Sequence, residues 1–133
     1  MRMTPKMIPK FRAKDENGVW HTGLLTFMFG QYAIVNESDE NTVYLIDKET
    51  VGQYTGLKDQ QGVEIFEGDI IKNKRGGIGY IVFLIQEAGY VVVLPKRDYR
   101  LGHRNTGESY QLAVDHEVIG NIYENQDLLE VAK

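Results

Sequence analysis

The sequence predicts a mainly β protein with one short helix at its C-terminal end. The 133 residues include 14 glycines and eight tyrosines, a composition that favours sheets and turns over helices. Apolar and polar residues alternate in short runs, which is the period of half-buried strands. Turn-forming residues separate these runs. The hydrophobic fraction of 42% is enough for one modest core.

Residues 1–50 are predicted to form an antiparallel meander. The dipeptide Asn17-Gly18 is a strong hairpin signal between two strands, and Gly30 ends the second of them. The polar stretch 36–41 is predicted as a loop. The predicted strands of this part are Phe11–Ala13, Val19–Phe29, 31–35 and 42–46.

Residues 51–124 are predicted to form a small SH3-like barrel, because a tight meander with short loops is what such a barrel needs. Its predicted strands are 68–74, 80–86, 90–96, 110–114 and 117–123, with a hairpin at Arg75–Gly79 and a long polar loop at 97–109. Residues 125–133 are predicted as the C-terminal helix, with Asn125 as the N-cap and Asp127 in the first turn.

The stretch 53–71 joins the two halves. Asp59 and Gly62 suit the first and last positions of a type I turn, because Asp accepts a backbone hydrogen bond two residues on and Gly tolerates a positive φ. Gly68 and Asp69 then interrupt the chain before a new apolar run. This pair is typical of the mouth of a small barrel.

Three blocks of the sequence resemble the YopX family, small proteins encoded by phages and prophages. They are IPKFRAKDENGVW at 8–20, QYTGLKDQQGVEIFEGDII at 53–71 and EVIGNIYENQDLL at 117–129, about a third of the chain. Lys14 and Gln126 depart from the family, which usually has tryptophan and proline at these places. The family has no characterised active site. The resemblance therefore implies an SH3-like C-terminal barrel and a phage origin, and no mechanism.

The net charge of −4 conceals a segregated pattern. Residues 1–14 sum to +5, residues 15–71 to −9, residues 72–104 to +5 and residues 105–133 to −5. Such blocks predict oppositely charged faces, either within one molecule or between copies of it. Small meanders also leave open sheet edges that must be covered or paired between chains, and together the two features predict a homo-oligomer. The chain has no cysteine and no apolar run long enough to span a bilayer, so we expect a cytoplasmic protein of the bacterial host cell without a membrane partner.

No catalytic, cofactor-binding or metal-binding residues are predicted, and no cofactor. Gly76, Gly77 and Gly79 join two strands, whereas a phosphate loop leads into a helix. The acidic loop at 37–40 lacks the spacing of a calcium site, and Glu67 and Asp69 are interpreted as structural. The three histidines are His21, His103 and His116, and they form no metal-ligand spacing.

One group of residues is predicted to contact a partner. Basic side chains cluster after residue 71 with tyrosines among them, a combination that can neutralise phosphates and stack on bases. The same group could instead pair with an acidic protein surface. The predicted contact residues are Lys72, Lys74, Arg75, Lys96, Arg97, Tyr99, Arg100 and Arg104, with Tyr90 as a further interleaved ring.

We therefore predict a non-enzymatic phage or prophage accessory or regulatory protein that acts through protein–protein contacts with itself or with a host or phage protein. The alternative is a nucleic-acid-binding module that uses the basic group. We favour the first because the acidic total of −4 opposes binding to a polyanion. The sequence identifies neither the partner nor the biochemical activity.

Overall fold

A computed structural model describes residues 8–94, 98–101, 110–111 and 113–131. The chain divides into two compact units, Met1–Gly56 and Leu57–Lys133. The strands are β1 (Phe11–Lys14), β2 (Trp20–Met28), β3 (Gln31–Asn36), β4 (Val43–Leu45), β5 (Gly52–Lys58), β6 (Glu64–Phe66), β7 (Asp69–Asn73), β8 (Ile78–Leu84), β9 (Gly89–Val93), β10 (Asp98–Leu101), β11 (Tyr110–Gln111) and β12 (His116–Asn121), and the helix is α1 (Gln126–Val131).

The first unit is the predicted antiparallel meander. The first sheet has the strand order β4-β3-β2-β1-β5-β6. Its strand β5 continues past Gly56 into the second unit, to which β6 belongs. Each neighbouring pair from β4 to β5 is antiparallel. The sheet curls, since the N–H of Asp47, two residues after β4, donates to the carbonyl of Lys14 at the end of β1. Ala13, Ala33 and Ile34 are fully buried in this unit.

The second unit is built on a sheet with the order β11-β10-β9-β8-β7-β12. Its described pairs are antiparallel except for β10 with β11, which is parallel. The predicted mainly β class with a short C-terminal helix is thus confirmed. Among the described strands β11 and β12 form the two ends of this sheet, so strand pairing does not close it into the expected barrel.

The core of the second unit comes from alternating positions of several strands. Ile81 in β8 lies opposite Val92 in β9, and both are fully buried. The other buried members of this cluster are Ile65, Ile71, Tyr99, Leu101 and Ala113. Within the described chain no helix is long and apolar enough to cross a membrane.

Three turns of the chain share one geometry, and they begin at Asp15, Asp59 and Asn73. In each, a side-chain oxygen of the first residue accepts the backbone N–H groups two and four residues later. The glycine at the fourth position has a φ of 80°, 83° or 85° and donates its N–H to the first carbonyl. Only glycine adopts this φ at low cost, so the local signal is Asp/Asn-x-x-Gly.

This shared geometry confirms one predicted turn and relocates two others. The turn from Asp59 to Gly62 is as predicted. The first hairpin begins at Asp15, two residues before the predicted Asn17-Gly18 centre, because the carboxylate of Asp15 organises it. The hairpin predicted at Arg75–Gly79 begins at Asn73 for the same reason.

Asp59 also ties its turn to a distant strand. Its second carboxylate oxygen accepts the N–H of Val118 in β12 at 2.9 Å, across 59 positions of sequence. The side chain is buried, with 4% of the residue exposed. Burial raises the pKa of Asp59, but hydrogen bonds from Val118, Val63, Gln61 and Gly62 outweigh it and hold the pKa below its usual 3.8.

Gly62→Val tests the turn geometry. A β-carbon at this position would meet nothing within 4 Å, so the substitution isolates the cost of a φ of 83°. We expect the free energy of unfolding to fall by about 1–3 kcal/mol in chemical denaturation. Gln61→Val, at an exposed neighbour without a positive φ, is the matched control and should change little. Equal effects from the two would contradict the turn assignment.

Asp59→Asn tests whether the carboxylate of Asp59 holds its turn to β12. The amide cannot accept at both positions, so the free energy of unfolding at pH 7 should fall by about 1–3 kcal/mol. A carboxylate whose pKa is lowered on folding stabilises above its unfolded pKa and loses that contribution as the pH falls through the folded value. Denaturation curves of the two proteins should therefore converge on acidification below 3.8. A constant difference down to about pH 2 would refute this account.

Candidate functional site

The predicted basic group is divided by the fold. Lys72 in β7 and Lys74 and Arg75 in the following turn are exposed and lie within one hairpin. Arg100 is half-buried in β10, opposite Val91. The remaining predicted cations lie outside the described residues; they are Lys96, Arg97 and Arg104.

Tyr99 is a core residue and does not supply a ring at the surface. It is 5% exposed, and its hydroxyl lies 2.7 Å from Nε2 of the buried His116. The sequence predicted a loop here because the surrounding residues are polar, but Asp98–Leu101 pairs with β9. Tyr90 is half-buried and packs edge-to-face on Phe83. The described part of the basic group therefore lacks the exposed stacking ring that the nucleic-acid hypothesis used.

The other candidate side chains make local structural bonds. Asp69 is 1% exposed and accepts the N–H of Phe66, in agreement with its predicted structural role. Asp39 accepts from the hydroxyl of Thr42 and the N–H of Asn41, which lowers its pKa and shapes the acidic loop. In the described ranges no group of three or more His, Asp or Glu side chains is arranged to hold a metal ion.

A surface that the sequence reasoning missed is the β2–β3 hairpin. Residues 22–36 contain no charged side chain, and several of their apolar side chains face solvent. Phe27 and Tyr32 sit opposite each other and pack edge-to-face with ring centroids 5.0 Å apart. The exposed fractions are 61% for Phe27, 40% for Tyr32 and 54% for Leu24. The absence of charged residues from 22 to 36 is the sequence signal that could have identified this surface.

The tip of this hairpin places a phenylalanine in a strained conformation. Met28 pairs with Gln31, so Phe29 and Gly30 form a two-residue turn with φ values of 52° and 77°. Two positive φ values define the turn type that favours Asn-Gly and Gly-Gly. Phe29 is 94% exposed. In the described part of the chain, no packing of this side chain explains why a phenylalanine occupies the turn.

A cavity of about 430 Å³ runs beside β4. One wall is formed by residues 43–47, and the other includes Asp15, Glu16 and Asn17 from the first hairpin turn. Asp15 accepts from His21 Nε2 at 2.8 Å, and His21 stacks on Tyr44 with ring centroids 3.6 Å apart. The wall that carries Asp15 is thus held against the strand that carries Tyr44.

Comparisons with known proteins agree with the resemblance of the three blocks. A comparison with curated proteins found no match. The crystal structure of protein EF1440 from Enterococcus faecalis is similar, with 27% sequence identity and a TM-score of 0.57 over 93% of this chain and 99% of that chain. The family model of the YopX protein matches residues 10–130. Because this match spans nearly the whole sequence, the chain belongs to the YopX family.

Proposed function

We propose that this member of the YopX family is a non-enzymatic phage or prophage accessory or regulatory protein that works in the bacterial cytoplasm through protein–protein contacts. We propose further that it assembles with copies of itself through the β2–β3 hairpin. A symmetric dimer presents the same patch from both subunits, so an uncharged patch meets its copy without bringing like charges together. The lack of charge over residues 22–36 suits such a contact.

The observation that carries this proposal is Phe29. A left-handed backbone conformation costs a residue with a β-carbon about 1–2 kcal/mol, and asparagine or glycine would relieve that cost. An aromatic ring exposed to solvent makes no contact within its own molecule that would offset this free-energy cost. Strained residues at exposed tips are typical of binding sites, where the ring is used by a partner. Phe29 is 94% exposed with a φ of 52° and fits this description.

Association through the hairpin would bury apolar side chains that are exposed in the single chain. Full burial of a phenylalanine side chain stabilises by roughly 1.5–3 kcal/mol. In a two-fold dimer each such contact occurs twice. Phe27 and Tyr32 lie opposite each other and extend the apolar surface along one face of the hairpin from the tip. Aromatic side chains are also the residues that dominate measured binding energies at protein interfaces.

Phe29→Asn tests the proposal without risk to the fold. It creates Asn-Gly, the preferred pair for this turn, so the free energy of unfolding of the monomer should hold or rise. It also removes the ring, so the dissociation constant of the oligomer should increase by about tenfold or more. Light scattering coupled to size-exclusion chromatography measures the assembly, and chemical denaturation measures the fold.

Ile85→Asn is the matched control, because Ile85 is also apolar, 86% exposed and located at a hairpin in the second unit. It should leave the assembly unchanged. Association through the hairpin should also persist at about 1 M salt, whereas association through the charge blocks would weaken. A wild-type monomer at micromolar concentration, or a Phe29→Asn protein that assembles like wild type, would refute the proposed contact.

Nucleic-acid binding is the competing function, and three exposed cations of one hairpin support it: Lys72, Lys74 and Arg75. We expect little binding to single-stranded or duplex DNA even at about 50 mM salt, because the net charge of −4 repels a polyanion. A fluorescence anisotropy titration measures this. Sub-micromolar binding that Lys74→Glu with Arg75→Glu abolishes, with assembly intact, would place DNA binding ahead of the protein-contact function.

A further inference from the structure

The outer edge of β4 is open among the described strands. β4 ends the strand order of its sheet. Thr42 and Ile46 both hydrogen-bond to β3, and Tyr44 lies between them in register with β3. Antiparallel pairing alternates, so the N–H and C=O groups of the intervening residues, Val43 and Leu45, point away from β3. These groups form a short template for a further strand.

The cavity beside β4 lies along this edge. Residues 43–47 line it without interruption. Alternate side chains of a strand point to opposite faces of a sheet, so consecutive residues share one cavity only where that cavity meets the edge. At about 3.3 Å per residue, the lined stretch matches roughly five residues of extended chain. The cavity of about 430 Å³ therefore lies where a further strand would pair, beside a lined stretch of about five residues.

The walls of the cavity are acidic. Asp15, Glu16 and Asp47 line it, and none of the described lining residues is a lysine or an arginine. A hydrogen bond from His21, with others from the backbone of Val19 and Asn17, lowers the pKa of Asp15 and keeps it ionised. A second β4 strand is a poor occupant, because antiparallel pairing would bring the acidic flanks of both copies together. Charge complementarity favours a basic occupant.

We infer that the β4 edge binds an extended, positively charged segment of a partner protein, which adds to the first sheet as an antiparallel strand. This mode of recognition takes its affinity from main-chain hydrogen bonds and its specificity from side-chain contacts. The carboxylates of Glu16 and Asp47 select lysine or arginine on the bound segment. The inference rests on the proposed protein-contact function and names the chemistry of a partner at a second surface, separate from the hairpin tip.

Amide hydrogen exchange with a synthetic peptide tests the inference. The probe is a blocked peptide of about eight residues that alternates lysine and threonine, long enough to cover the edge. In the free protein the amides of Val43 and Leu45 should exchange fast, and that of Tyr44 should be protected. Bound peptide should slow exchange at Val43 and Leu45 by about tenfold or more and leave Tyr44 unchanged. An unchanged pattern at saturating peptide would overturn the inference.

Two variants separate strand pairing from charge attraction. Leu45→Pro removes an outward N–H and no bond to β3, a position where sheets tolerate proline, and it should weaken peptide binding by about tenfold. Glu16→Gln with Asp47→Asn keeps the shape of the wall and should weaken binding strongly and reduce its salt dependence. A peptide that alternates glutamate and threonine should not bind. Equal binding of the two peptides would overturn the assignment of a basic partner.

The peptide experiments at the β4 edge can fail or succeed independently of the proposed assembly through the β2–β3 hairpin. Peptide binding should persist in Phe29→Asn, because Gln31 is the nearest residue of this hairpin among the described lining residues and Phe29 is not one of them. Loss of assembly in Phe29→Asn without any peptide binding to either protein would sustain the hairpin proposal and overturn this inference. A change of oligomer size in Leu45→Pro would assign the edge to a second copy of the chain and would equally overturn it.

Discussion

The buried carboxylate of Asp59 is the interaction on which the second unit depends. It binds N–H groups of its own turn and of β12, which are brought together only in the folded chain. The neighbouring residue Gln60 adds a bond from its N–H to the carbonyl of His116. The ring of His116 in turn contacts the hydroxyl of Tyr99 in β10. One carboxylate thus fixes a strand that reaches both β7 and the core.

Two other turns of the chain use the same side-chain hydrogen bonds as the turn at Asp59. Asp15 and Asn73 form turns with the same backbone hydrogen bonds. The amide nitrogen of Asn73 also donates to the hydroxyl of the core residue Tyr99 at 3.5 Å, across 26 positions of sequence. Asp15 additionally positions His21, which stacks on Tyr44 in β4. A local turn motif therefore fixes the wall of the cavity beside β4. Stability and the proposed partner surface share one set of contacts in the first unit.

The two proposed surfaces of the first unit differ in physical character. The hairpin tip is uncharged, aromatic and strained, and it suits a contact that excludes water. The β4 edge offers backbone hydrogen bonds beside carboxylates, and it suits an extended chain of opposite charge. Salt weakens a charged contact at the β4 edge and leaves an uncharged contact at the hairpin tip unchanged. A protein with both surfaces can therefore assemble with itself and still bind a partner selectively.

Local chemistry determined much of what the sequence predicted. Alternation of apolar residues placed most strands, and Asp59 with Gly62 located its turn, since a side-chain bond and a positive φ act within five residues. The Asp/Asn-x-x-Gly spacing would have corrected the two displaced turns. The three blocks identified the family, whose model matches residues 10–130.

Tertiary structure decided the rest, because the deciding contacts are distant in sequence. From its polar sequence neighbours, Tyr99 is predicted to lie in a loop. Pairing of its strand with β9 and its hydrogen bond to the ring of His116 place it in the core. The closure of a sheet depends on which end strands meet, and periodicity carries no information about that. The edge of β4 is open because β4 comes last in its sheet among the described strands, and only the pairing of strands shows this. Sequence determined the elements, and long-range pairing determined which surfaces remain for partners.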